Sequence, residues 1–201
     1  MIDFYKYSKK NFIFKFIIQN FFGVKLDLLK KSFFCTYKID LKLDDSFFND
    51  YMKKYPITKW GGNVNNKEHY QSNHDLNKFK ILKKPINQIE KILNNEVKKN
   101  FLGMTCFGKF RIKSLWFTIQ KKNEGHNKHN HPKSILSGVY YYRIEENKGG
   151  ELEIFTQQKI VNHNPKKNDL IVFNSDTFHS VKPYYGNNDR IAIAWDAIYT
   201  F

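Results

Sequence analysis

Cysteine is almost absent: Cys35 and Cys106 are the only two in 201 residues. Two thiols so far apart form neither a disulfide framework nor a zinc knuckle, which fits a reducing compartment and predicts a cytoplasmic protein. Arginine is scarce as well, with Arg111, Arg143 and Arg190 standing among 34 basic residues. Where a point charge suffices the chain uses Lys, so each Arg marks a position that needs a planar, two-pronged donor. Long apolar runs are missing too. The best candidate, Phe12 to Val24, is interrupted by Lys15, Gln19 and Asn20 and falls short of the roughly 20 apolar residues that span a bilayer. It does not end in the small residues of a signal-peptidase site, and it reads as an amphipathic docking helix. No repeat and no flexible linker divides the chain, which predicts one domain.

What is present is a core. Hydrophobic residues make up 41% and aromatic residues 17%, a globular composition that excludes intrinsic disorder. The formal charge is +15, which attracts polyanions, membrane surfaces or an anionic substrate. The same chain is saturated with Lys, Asn, Ile, Phe and Tyr, all with A/T-rich codons, so coding bias alone generates much of that excess. There is no arginine-rich tract and no basic helix with aromatics at stacking intervals. Charge by itself gives only sequence-independent attraction, and specific nucleic-acid binding is not indicated.

Along the chain, residues 1–34 read as a helical N-terminal extension. Cys35 to Leu41 reads as a strand, and Asp44 and Asp45 offer caps for a short helix through Phe47, Phe48 and Met52. Residues 57–77 read as a long polar loop, with His69 and His74 solvated in it. Pro85 suits the first turn of a second helix, whose Ile86, Ile89, Leu93 and Val97 share one face. After Arg111 the texture changes to short β-rich runs: Leu115–Gln120, Ile135–Arg143, Glu151–Phe155, Asp169–Asn174 and Ile191–Tyr199. Such runs, punctuated by Gly149-Gly150, Pro165 to Asp169 and Gly186 to Asp189, predict a β-sandwich or barrel.

The chemistry concentrates in the histidines. His129 and His131, two residues apart on an extended backbone, point to one side and can converge on one ion, and Pro132 keeps His131 out of helical geometry. Imidazole suits Fe, Zn, Cu or Ni. An H-x-H alone is common. Here it is followed by the strand Leu170–Phe173, a turn presenting His179, and Arg190 eleven residues later. By contrast His126 reads as solvated, His163 as a surface-loop residue, and Glu145 and Glu146 as a turn rather than an acid/base pair. Tyr140 and Tyr142 should face away from Tyr141 and pack.

The runs His129-Asn-His-Pro-Lys-Ser-Ile-Leu-Ser-Gly-Val-Tyr-Tyr, Gly-Gly-Glu-Leu-Glu-Ile-Phe, Asp169-Leu-Ile-Val-Phe-Asn-Ser, Phe178-His-Ser-Val and Asp189-Arg-Ile-Ala-Ile-Ala together resemble the 2-oxoglutarate/Fe(II)-dependent oxygenases. The likeness is closest to the subgroup with an H-x-H-P…S-G-V-Y-Y signature. It covers residues 115–201 well, 35–114 weakly and 1–34 not at all. The resemblance implies a mainly β fold, a double-stranded β-helix (jelly-roll, cupin-like) with helices packed on one sheet. Residues 35–112 would be helical support and 113–201 the β-helix core. It implies Fe(II) held by His129, His131 and His179, and 2-oxoglutarate held by Arg190, Tyr141 and Thr118. The expected partners are 2-oxoglutarate, O2 and an unidentified substrate that is hydroxylated with release of succinate and CO2.

Two departures from that family stand out. His131 occupies a position usually held by Asp or Glu, which leaves Glu124, Glu151 or Asp176 as alternative third ligands. Ala192 stands two residues after the arginine, where many relatives carry Ser or Thr. Two other readings stay open: a cupin-like three-histidine dioxygenase without 2-oxoglutarate, and a non-catalytic β-sandwich that binds an anionic ligand.

Overall fold

The computed structural model describes residues 34–56, 63–64, 67–98, 108–157 and 159–200. The expected helical extension therefore lies outside the described residues, except that Phe34 already begins the first strand.

Local chemistry sets the two α-helices of the described residues. Asp44 caps α1 (Asp45–Lys54), its carboxylate accepting the Ser46 N–H at 2.7 Å, and Phe47, Phe48 and Tyr51 form the buried face. Helix α2 (Lys83–Ile92) carries Pro85 in its first turn, where a missing N–H costs nothing. It runs into a wider π turn, Leu93–Val97. Asn94 marks that change. Its side-chain amide donates to the Glu90 and Phe110 carbonyls at 2.7 and 3.0 Å and accepts the Phe110 N–H at 2.8 Å. The helix end is thereby docked onto the start of a strand as though it were a strand itself.

The strands are β1 (Phe34–Lys38), β2 (Asn63–Val64), β3 (Lys67–Glu68), β4 (Tyr70–Gln71), β5 (Lys109–Gln120), β6 (His126–His129), β7 (Leu136–Arg143), β8 (Leu152–Phe155), β9 (Ile160–His163), β10 (Asp169–Asn174), β11 (Phe178–Val181) and β12 (Arg190–Thr200). Six of them form one antiparallel sheet in the order β1-β10-β7-β12-β5-β4, and four form a second in the order β6-β11-β8-β9. β2 and β3 pair separately. This is a double-stranded β-helix with helices on one sheet, as the sequence led one to expect.

Strand alternation divides the six-stranded sheet into two faces with different tasks. Leu115, Phe117, Ile119, Leu136, Tyr140, Leu170, Val172, Ile191 and Ile193 pack outward against Phe47, Phe48, Ile89, Leu93 and Val97. That larger core anchors the sheet. Facing the smaller sheet, a second core holds only Tyr141, Leu152, Ile154, Ile171, Phe173 and Ala192. The space it leaves is a cleft lined by Trp116, Thr118 and Gln120 of β5, Ser137 and Val139 of β7, and Ala194 of β12.

The polar stretch 57–77 is not the simple loop expected. Its described part pairs Tyr70 with Ile119 and Gln71 with Thr118, extending the large sheet beside β5. Leu76 to Lys78 then make a turn of 3₁₀ helix. Among the described residues no helix is long and apolar enough to cross a membrane.

Candidate metal and cofactor site

β6 ends at His129, directly opposite His179 of β11. His131 lies just past the strand, where its N–H donates to the Ser175 carbonyl at 2.8 Å. The two residues of the H-x-H are therefore not partners on one strand face; a strand end and a turn bring them together. One ring nitrogen from each of His129, His131 and His179 falls within 4.8 Å of the others. Among the described residues Glu124, Glu151 and Asp176 do not join this group, and Glu124 instead accepts the Lys121 N–H at 2.7 Å.

The tautomers follow from the acceptors. Nδ1 of His129 faces the Asn127 carbonyl at 2.7 Å, and Nδ1 of His179 faces the Thr177 carbonyl at 3.0 Å. A carbonyl only accepts, so each Nδ1 carries the proton and each Nε2 keeps its lone pair. Burial pushes His179 down to about 3 and also lowers His129. Both imidazoles are neutral near pH 7, the state in which they bind a metal.

Across the cleft, Arg190 is 2% exposed. Its Nη1 donates to the side-chain Oε1 of Gln120, its guanidinium sits 5.0 Å from the Tyr141 ring centre, and its Nε has no hydrogen-bond partner. Burial lowers even this guanidinium. Gly150, at φ +74°, makes room for it, since a Cβ there would lie 3.2 Å from Arg190 Cδ and Nε. The Tyr141 hydroxyl is likewise buried without a partner, and desolvation pushes it up to about 12 while the Arg190 charge pulls it down. The other two arginines hold carboxylates: Arg111 pairs with Glu90 at 2.7 Å and Arg143 pairs with Asp45. Among the described residues Arg190 has no such ion pair. A buried cation without a counter-charge, beside an unpaired hydroxyl, fits an anionic ligand with a hydrogen-bonding head.

Ala192 lies between Thr118 and Tyr141, its register partners on the two neighbouring strands. A hydroxyl therefore stands on either side of the position where Ala replaces Ser or Thr. Tyr140 and Tyr142 face outward as expected, Tyr140 donating to Asn168 at 2.7 Å and Tyr142 to Asp45 at 2.8 Å.

Three histidines were misplaced by the sequence reading. His69 is 3% exposed and its ring lies 4.8 Å from that of His126. His126, far from solvated, stacks on His129 at 4.2 Å, its Nδ1 buried and without a partner, and burial with the neighbouring imidazoles takes it down to about 2. His163 belongs to β9 and reaches Asp169 at 3.3 Å. His74 keeps its place at the surface, but stacks flat on Trp116 at 4.3 Å and meets Gln71 at 2.8 Å. Two further residues escaped notice: Gln120, which holds Arg190, and Asp196, whose Oδ1 lies 3.4 Å from Nδ1 of His131. Strict alternation from Arg190 along β12 places Asp196 on the cleft face, so that signal was legible.

The model of a family described as "Putative 2OG-Fe(II) oxygenase" matches residues 114–196. Over that span the chain is similar to the 2OG-Fe(II) oxygenases. Members of the family are oxidoreductases that use Fe(II), 2-oxoglutarate and O2. No curated protein matches the chain by sequence. Several solved structures share the chain's architecture. A viral collagen prolyl hydroxylase from Paramecium Bursaria Chlorella virus-1, solved with 2OG, is 19% identical with a TM-score of 0.57, covering 81% of this chain and 96% of that one. A Trichoplax adhaerens prolyl hydroxylase, in complex with a peptide fragment of hypoxia inducible factor, is 17% identical at 0.54, covering 98% and 94%. A non-heme alpha ketoglutarate dependent carbocyclase from nogalamycin biosynthesis is 9% identical at 0.63, covering 88% and 84%. At these identities the likeness is one of fold.

Proposed function

We propose that His129, His131 and His179 hold Fe(II) through Nε2, and that Arg190, Tyr141 and Thr118 hold 2-oxoglutarate for the hydroxylation of an organic substrate. The observation that carries this reading is Arg190, a buried guanidinium in the same cleft as the three histidines with no carboxylate partner among the described residues. Its free Nε and the Tyr141 hydroxyl are the donors that the distal carboxylate of a 2-oxo diacid requires, and a guanidinium fork matches a carboxylate in two-pronged geometry. Thr118 adds a hydroxyl on the far side of Ala192.

The bound Fe(II), with 2-oxoglutarate and O2, supplies the oxidation of a substrate C–H bond and releases succinate and CO2. The chain supplies position and dryness. Carbonyl acceptors at Asn127 and Thr177 hold two imidazoles in the ligating tautomer, and Leu152, Phe173 and Val181 present apolar surface to the cleft. The described neighbours include two prolyl hydroxylases and a carbocyclase. Two of the three are a 2OG complex and an alpha ketoglutarate dependent enzyme, while the reactions they are named for differ.

The test is spectroscopic. Anaerobic protein with Fe(II) and 2-oxoglutarate should develop a weak visible charge-transfer band, absent in His179→Ala. Arg190→Met should still bind metal but lose the band at the same 2-oxoglutarate concentration. A wild type that binds no Fe(II) and consumes no 2-oxoglutarate overturns the proposal. So does metal binding with turnover that ignores both Arg190 and 2-oxoglutarate, the behaviour of a three-histidine dioxygenase that needs no co-substrate.

A further inference from the structure

The usual facial triad of non-haem iron joins two imidazoles to one carboxylate, and the three-histidine group has no carboxylate among its members. One stands directly behind it. Asp196 follows Arg190, Ala192 and Ala194 on the cleft face of β12, and its Oδ1 lies 3.4 Å from Nδ1 of His131. The side chains of His131 and Asp196 are only 16% and 13% exposed. Ser137, the register partner of Asp196 on β7, donates its hydroxyl to the same Oδ1 at 2.6 Å. Trp116 packs on His131 with ring centres 5.6 Å apart. The carboxylate is thus held by one side chain and aimed at another.

We propose that Asp196 is a positioning residue for the metal site, fixing the tautomer of His131 and supplying from behind it the negative charge that the three ligands lack. This rests on the reading that His129, His131 and His179 hold Fe(II). A carboxylate facing Nδ1 repels a lone pair there and attracts an N–H, so the proton goes to Nδ1 and the lone pair to Nε2. The other two histidines receive the same instruction from neutral backbone carbonyls; only His131 receives it from a charged group. Charge balance is the remaining requirement. Fe(II) brings two positive charges and Arg190 one, against two negative charges on 2-oxoglutarate. With the usual triad a ligand carboxylate closes that balance at zero. Here the imidazoles contribute nothing and Asp196, 3.4 Å from His131, closes it. Buried ionic sites left unbalanced are costly, so relocating the carboxylate preserves the balance while changing which atom touches the metal.

Full-length protein stripped of metal and titrated with Co(II), followed in the visible, tests the assignment. Asp196→Asn should weaken Co(II) binding by roughly 10- to 100-fold, the usual cost of losing an outer partner of a ligating histidine. Ser137→Ala should weaken it in the same direction by less. The decisive comparison uses His131→Asp, which restores a ligand carboxylate. In that background Asp196→Asn should leave affinity unchanged or improve it, because two carboxylates there repel. Equal losses in both backgrounds indicate a merely structural role and overturn the proposal, as does an unweakened Asp196→Asn. If His131→Asp does not fold, nitrogen-15 shifts of His131 in the metal-free protein decide: Nδ1–H in the wild type must give way to mixed tautomers in Asp196→Asn, and retention of pure Nδ1–H overturns it. Wild type that binds no Co(II) fails the metal reading itself, a result distinct from any failure of Asp196.

Discussion

Replacing Arg190 should separate binding from stability. A guanidinium that is 2% exposed and unpaired by any described carboxylate is a net burden on the ligand-free fold. Exchanging a buried ion for an apolar side chain of similar size is neutral or stabilising by about 1–4 kcal/mol. Two losses oppose this. The side-chain Oε1 of Gln120, a residue 1% exposed, gives up its donor, at about 1–3 kcal/mol for a buried unsatisfied acceptor. The contact with the Tyr141 ring costs about 1 kcal/mol more. Arg190→Met alone should therefore fall between about 2 kcal/mol more stable and about 4 kcal/mol less stable than the ligand-free wild type. Arg190→Met with Gln120→Leu removes both partners and should be equal to or more stable than the wild type.

Binding should move the other way. Truncating one member of a desolvated charge pair costs about 2–5 kcal/mol, roughly 30- to 4,000-fold in 2-oxoglutarate affinity at about 1.4 kcal/mol per factor of ten. Urea unfolding of the metal-free protein measures the first quantity. The rise in Tm with 2-oxoglutarate and Mn(II) measures the second, since ligand at a hundred times Kd stabilises by about 2.7 kcal/mol. A double variant destabilised by 3 kcal/mol or more would falsify the argument, because it would show that Arg190 serves the fold. Equal protection of wild type and variant by 2-oxoglutarate would refute its role in binding.

Tyr141→Phe deletes a buried hydroxyl that has no partner, so ligand-free stability should hold or rise slightly while 2-oxoglutarate binds about 5- to 10-fold more weakly, for one lost hydrogen bond; calorimetric titration reads both. Glu90→Ala should cost about 2–3 kcal/mol by urea midpoint, because the Ile112 N–H loses its 2.9 Å acceptor inside the outer core. Its 2-oxoglutarate affinity should be unchanged, since Glu90 lies on the opposite face of the sheet from the cleft. Asp169 gives a pH prediction. Burial works to raise its carboxyl, but Lys38, the Lys166 N–H and His163 prevail and hold it below the usual range. A depressed folded pKa contributes stability that is present above the unfolded value of about 3.9 and is lost as pH falls through the folded value. Asp169→Asn should therefore be less stable at pH 7 yet lose less between pH 4 and 2; an unchanged acid slope in urea titrations would count against this.

The sequence disclosed most where side-chain patterning is strong. Asp44 announced a helix and caps it, the run Asp169–Asn174 is a strand to the residue, and Tyr141 faces the cleft because its neighbours 140 and 142 face the helices. It disclosed least where burial comes from distant pairing. Asn- and Gly-rich surroundings make residues 57–77 read as loop, and nothing local indicates that Tyr70 and Gln71 add a strand beside Ile119 and Thr118. His69 is carried inside by that pairing. Likewise β6, β9 and β11 are four residues each, too short and polar to show a period, so His126 and His163 looked like loop residues. Local pattern finds the ligands; register decides what surrounds them.

Ala192 shows what register adds. In the sequence it reads as a lost hydroxyl beside the arginine. In the sheet it is flanked by Thr118 on β5 and Tyr141 on β7, so hydroxyls remain on both sides and the alanine itself adds floor space below them. A Ser or Thr at 192 would place a third hydroxyl among Thr118, Tyr141 and the free Arg190 Nε. Asp196 repeats the pattern four residues along the same strand, with Ser137 as its cross-strand neighbour and His131 above it. At His131 the missing carboxylate is answered by Asp196 from the facing sheet, and at Ala192 the missing hydroxyl is matched by groups on the two adjacent strands. Cross-strand neighbours lie about 4.5–5.5 Å apart, close enough for that exchange to keep the same ligand atoms within reach.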